Sequence, residues 1–256
     1  MPALTRRRLL AHFSAADPTL GAVIEAAGPY RLVPDTGSTP FVHLARAITH
    51  QQISGAAART ILLRVLAIYT GAEAAAAALE TGDGFPEPRQ LLDTDDATLR
   101  GAGLSRSKVV ALKDLAARAL EGVVPDTATL AALDDAQIVE RLTTVRGIGR
   151  WTVQMMLMFQ LGRPDVLPAE DFGVRNGFRL AYGLRTLPAP AALAAYGARW
   201  APLRSAAAWY LWRAVDLAKA GGLPAPPRPA PRLRLRLRQK SPKRIRTRVA
   251  PARARK

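Results

Sequence analysis

The 256-residue sequence contains no cysteine, which excludes disulfides, thiolate zinc sites and cysteine-ligated iron-sulfur clusters and suits a reducing compartment. It has no apolar run near the roughly 20 residues that span a bilayer. The opening stretch MPALTRRRLLAHFSAADPTL has neither the long apolar segment nor the cleavage site of a secretory leader. These absences predict a soluble, cytoplasmic protein with no membrane partner. Strand-like patterning is also scarce. Acidic residues are missing from one segment altogether: thirteen of the 37 Lys and Arg and none of the 20 Asp and Glu follow Gly221. The formal charge of +17 therefore resides mostly in the C-terminal segment, and the remainder carries only about +4. A body of that charge does not announce a polyanion partner, so the case rests on local motifs.

What is present is helical. FVHLARAITHQQ places Phe41, Leu44, Ala45 and Ile48 on one face, and SGAAARTILLRVLAIY restarts after a Ser54 N-cap. Further helices are predicted over 72–80, 95–102, 105–121, 134–145, 149–159, 171–182, 190–200 and 202–220, with a short one near 5–13. The fold class is all-α and two-lobed. Residues 1–40 form an N-terminal helix and connector, 41–220 the helical body with a hairpin in 142–159, and 221–256 a basic, proline-punctuated tail expected to be disordered.

The informative stretch is LTTVRGIGRWT, residues 142–152. Glycines at 147 and 149 permit a tight turn and leave the first N–H groups of the next helix open in front of Arg150, an arrangement that favours a phosphate oxygen. A glycine-capped turn between two core helices gives the same pattern. Downstream, DVLPAEDFGVR offers an acid at a helix start. Such an acid is commonly only an N-cap, and spacing alone does not separate Asp171 from Glu170 or Asp165.

The whole run from Leu142 to Phe178, together with ITHQQISGAAA, GLSRSK and RWAPLRSAAAWYLWRA, resembles the helix-hairpin-helix DNA glycosylases, in particular the 3-methyladenine-DNA glycosylase II branch. The resemblance spans roughly residues 41–215. It implies a monofunctional hydrolase of base excision repair that flips alkylated purines out of duplex DNA and leaves an abasic site, acting as a monomer. It implies Asp171 as the catalytic aspartate, Trp151 and Trp212 as walls of the base pocket, and Gln52 as the wedge that fills the gap in the stack. Gly147, Gly149 and Arg150 would contact DNA phosphates. Bifunctional relatives carry a Schiff-base lysine just after the hairpin, where this chain has Trp151, so no lyase activity is expected.

No catalytic cofactor follows from the resemblance, and no iron-sulfur cluster. A structural cation on the backbone carbonyls of Thr143, Val145 and Ile148 does. The forty residues before Phe41 imply the shorter form of the branch, without the mixed α/β N-terminal domain of some bacterial members. Gln52 is polar where some relatives have leucine. Among other classes, a non-catalytic DNA-binding module would need the hairpin but neither Asp171 nor the two tryptophans.

Overall fold

The computed structural model describes residues 5–81 and 84–226, and no strand occurs among them. In order the helices are α1 (Arg6–Ala16), α2 (Pro18–Ala27), α3 (Pro40–His50), α4 (Gly55–Thr70), α5 (Ala72–Thr81), α6 (Pro88–Asp93), α7 (Asp96–Gly101) and α8 (Arg106–Leu120). They continue with α9 (Thr127–Ala132), α10 (Asp135–Leu142), α11 (Arg150–Phe159), α12 (Phe172–Ala181), α13 (Pro190–Gly197), a 3₁₀ turn (Ala198–Trp200) and α14 (Arg204–Lys219). The starts are written locally. Thr5, Asp17, Thr39, Ser54, Asp95, Ser105, Asp126, Asp134 and Asp171 each accept a backbone N–H of the helix they precede. Proline opens α2, α3, α6 and α13, where its missing N–H costs nothing.

In one lobe α12 lies so close to α14 that a Cβ on Gly177 would sit 1.8 Å from the Leu211 carbonyl oxygen. Helices α1 and α2 pack on each other, and α2 packs on α14. Buried Asp17 ties them down, accepting the Tyr182 hydroxyl at 2.6 Å and the Trp200 indole N–H at 2.8 Å. The second lobe gathers α3, α4, α6, α7 and α8, with α11 against both α3 and α10. One core runs through both, from Leu9 and Phe13 to Leu211 and Ala214, and a small satellite of Leu62, Leu66, Ala75, Ala78 and Leu79 fills the angle between α4 and α5.

Three differences from the sequence expectation have local causes. Residues 5–39 hold two helices, because Asp17-Pro18 stops one and caps the next. Helices α6 and α9 have six residues each, too few turns to show a period. The helix expected to 145 ends at Leu142, freeing Thr143–Gly149 to form the hairpin turn. The chain then runs from α14 to Pro226, which packs beside Gly183. The basic tail beyond it lies outside the described residues. Among the described residues no single helix is long and apolar enough to cross a membrane.

Candidate active site

The segment that leads into α12 is fixed from α14. Arg204 grips Asp165 with its Nε at 2.7 Å from Oδ1 and a terminal guanidinium nitrogen at 2.9 Å from Oδ2. The hydrogen bond to Asp165 is the main reason that the Arg204 guanidinium has its pKa raised further. Ser205 Oγ accepts the Val166 N–H at 2.9 Å and donates to the Arg163 carbonyl at 2.6 Å. Asp165 is thereby engaged with α14, and Glu170 is exposed. Asp171 comes next, in extended conformation, as the N-cap of α12 with Oδ1 2.7 Å from the Val174 nitrogen.

Two indoles converge on the same carboxylate. Trp151, the second residue of α11, donates Nε1–H to Asp171 Oδ2 at 2.9 Å. Trp212, midway along α14, donates Nε1–H to Asp171 Oδ1 at 2.9 Å. Capping and facing the tryptophans are therefore not alternatives for Asp171, because its two oxygens do both. Phe159 stacks on Trp212 with centroids 5.8 Å apart and 26° between planes, which fixes the inner ring. The outer ring is open: Trp151 is 44% exposed, and Phe172, directly after the acid, is 67% exposed. A carboxylate framed by exposed aromatic faces can receive a flat, cationic ring beside an anion, since both favour positive charge.

The hairpin glycines do different things. Gly147 has φ +80°, which a side chain would strain, and it lies against Ala111. Gly149 has φ −95°, open to any residue, and a Cβ there would meet nothing within 4 Å. Among the described residues nothing requires its smallness. As N-cap of the ten-residue α11 it also supplies no side-chain acceptor, so the first amides of that helix, beside exposed Arg150, are free to take an external anion.

Gln52 stands in the turn between α3 and α4 with φ +61°, the one positive-φ residue other than glycine among the described residues. It is exposed, and such strain persists only where the surroundings enforce it. Its neighbour Gln51 donates Nε2–H to the Gly147 carbonyl at 2.8 Å, so this turn and the hairpin touch. Sequence inspection missed Phe159, Gly173 and Gln51. Phe159 and Gly173 lie in the run from Leu142 to Phe178 and Gln51 lies in ITHQQISGAAA, so all three sit in stretches that carry the resemblance, although none was given a role.

Comparison with known proteins follows the same lines. Residues 45–202 match the family model described as HhH-GPD superfamily base excision DNA repair protein. The chain is 34% identical over 210 residues to DNA-3-methyladenine glycosylase 1 of Schizosaccharomyces pombe, covering 81% of this chain and 86% of that protein. The structure of the 3-methyladenine DNA glycosylase of S. pombe in complex with abasic DNA superposes with TM-score 0.69 at 33% identity, over 82% of this chain and 98% of that one. A DNA-3-methyladenine glycosidase from Bacillus halodurans gives the same TM-score at 31% identity, over 82% and 91%.

Proposed function

Because the chain belongs to the HhH-GPD superfamily of base excision DNA repair proteins, we propose that it is a monofunctional DNA glycosylase that excises alkylated purines of the 3-methyladenine type from duplex DNA. The observation that carries this proposal is the meeting of Trp151 and Trp212 on the Asp171 carboxylate. A DNA clamp would use the hairpin and have no need of that arrangement, which disfavours a non-catalytic binding module.

The steps follow from the groups available. The hairpin amides at Gly147 and Gly149, with Arg150, hold a phosphate. The damaged nucleotide rotates out of the stack, at least cost where pairing is already weakened, and Gln52 fills the space it leaves. Its cationic base slides against the aromatic faces of Trp151 and Trp212, an attraction of roughly 0.5–2 kcal/mol depending on desolvation. The C1′–N bond breaks with its electron pair going to the base, which departs neutral. The sugar is left as an oxocarbenium ion facing the Asp171 anion, which stabilises it. Water adds through oxygen to C1′ and loses a proton, giving the abasic site.

No cofactor takes part in this chemistry. Among the described residues no group of three or more His, Cys, Asp or Glu side chains is placed to hold a metal. A structural cation at the hairpin would instead be held by the backbone carbonyls of Thr143, Val145 and Ile148. The Val145 carbonyl accepts the Ile148 N–H at 3.1 Å and keeps a second lone pair, and neutral oxygens of this kind suit a hard cation. Such an ion would add positive charge beside the phosphate. The enzyme works as a monomer. The test is incubation with duplexes carrying 3-methyladenine, 7-methylguanine, 1-methyladenine, hypoxanthine or 1,N6-ethenoadenine, one per duplex, followed by alkaline cleavage. Strand breaks in the alkylated duplexes support the assignment, and none in any of them refutes it.

A further inference from the structure

One face of α8 gathers attachments from two loops far apart in the chain. Lys108 donates Nζ–H to the Thr49 carbonyl at 2.7 Å, holding the last turn of α3 just before Gln51 and Gln52. Three residues on, Ala111 lies against Gly147, its Cβ 3.2 Å from where a Gly147 Cβ would stand. Three further, Asp114 Oδ2 accepts the Arg146 N–H at 2.7 Å. Residues at this spacing share a helix face. The loops are also joined directly, through the 2.8 Å bond from Gln51 Nε2 to the Gly147 carbonyl across 96 residues of sequence.

Little packing supports the Gln52 turn on this side. A cleft of about 300 Å³ separates it from α8 and the hairpin, lined by Ile48, Gln51, Gln52, Ser105, Ser107 and Arg146 among others. Across this cleft the turn is tied by side-chain hydrogen bonds, from Lys108 to the Thr49 carbonyl and from Gln51 to the Gly147 carbonyl, just ahead of the positive-φ backbone at Gln52.

We propose that Gln51, Lys108 and Asp114 form a positioning brace that fixes Gln52 relative to the hairpin, so that seating the hairpin on a phosphate carries Gln52 into the base stack. This rests on the assignment of Gln52 as wedge and of the hairpin as phosphate clamp. The three residues touch no reacting atom. They act on extrusion of the base, and their importance scales with how firmly the lesion is paired.

The experiment is single-turnover excision of 7-methylguanine by the full chain, with the lesion either paired to cytosine or opposite a tetrahydrofuran abasic analogue, where extrusion costs little. Gln51→Ala should lose about tenfold on the paired duplex and less than twofold on the unpaired one, with an unchanged melting temperature. Lys108→Met should behave alike and Lys108→Arg, which retains a donor, should recover. In a Gln52→Ala background the Gln51→Ala effect should vanish, because it acts through that side chain. Equal losses on both substrates, or full additivity with Gln52→Ala, would overturn the brace. A Gln52→Ala protein that shows no pairing-dependent loss removes the wedge assignment and the brace with it. A loss there without one in Gln51→Ala removes the brace alone.

Discussion

Gly173 makes room for Trp212. A Cβ at position 173 would lie 2.7 Å from the Trp212 Cδ1, 2.9 Å from its Nε1 and 3.1 Å from Asp171 Oδ1, so the indole reaches the carboxylate only because residue 173 has no side chain. Gly173→Ala is expected to push Trp212 off Asp171 while leaving α12 intact, alanine being the better helix former. A displacement of about 1 Å near reacting groups costs on the order of a hundredfold. Single-turnover excision should fall by that order with little change in melting temperature, and excision at the wild-type rate would contradict the geometry.

Gly177, one turn further along α12, serves packing instead. Its replacement by alanine drives a methyl group into the Leu211 carbonyl oxygen of α14, and the two helices must separate. Overpacking of this kind costs about 1–3 kcal/mol, which for a chain of this size lowers the melting temperature by roughly 2–4 °C per kcal/mol. Thermal unfolding of Gly177→Ala should show that loss. An unchanged midpoint would mean that α12 and α14 are not packed as described.

Much of this was legible in the sequence because it is local. Ser54, Asp95, Ser105 and Asp134 announce helix starts by type and position, and RGIGRW declares a turn with an open helix end. Asp171 was less legible: three acids within seven residues had equal claims. What distinguishes them is long-range, since Asp165 is taken by Arg204, 39 residues on, while Asp171 meets indoles 20 and 41 residues away. The bond from Gln51 to Gly147 was invisible for the same reason, because no periodicity links positions 96 apart.

Chemistry without an enzyme-bound intermediate is expected from Trp151 at the position where a lysine nucleophile would stand. Borohydride added during turnover should trap no covalent adduct between protein and DNA, and strands should break only after alkali or heat. Efficient trapping would show that another amine attacks C1′.

The thirteen Lys and Arg of residues 227–256 should neutralise phosphates without reading sequence or damage. Each neutralised phosphate contributes about 0.9 to the slope of log K against log salt on duplex DNA. Removing these residues should flatten that slope and weaken binding to undamaged duplex, while excision at saturating enzyme stays the same. A truncated protein with the full-length salt slope would show that the segment does not engage DNA.

In the proposed mechanism the Asp171 carboxylate, framed by Trp151 and Trp212, stabilises the sugar cation. Asp171→Asn keeps the size of the side chain and removes its charge. The decisive measurement is single-turnover excision of 7-methylguanine from a duplex by this variant, alongside its affinity for the same duplex. Near-normal binding is expected, with excision slowed on the order of a hundredfold or more; excision by Asp171→Asn at close to the wild-type rate would contradict the electrostatic role of the carboxylate.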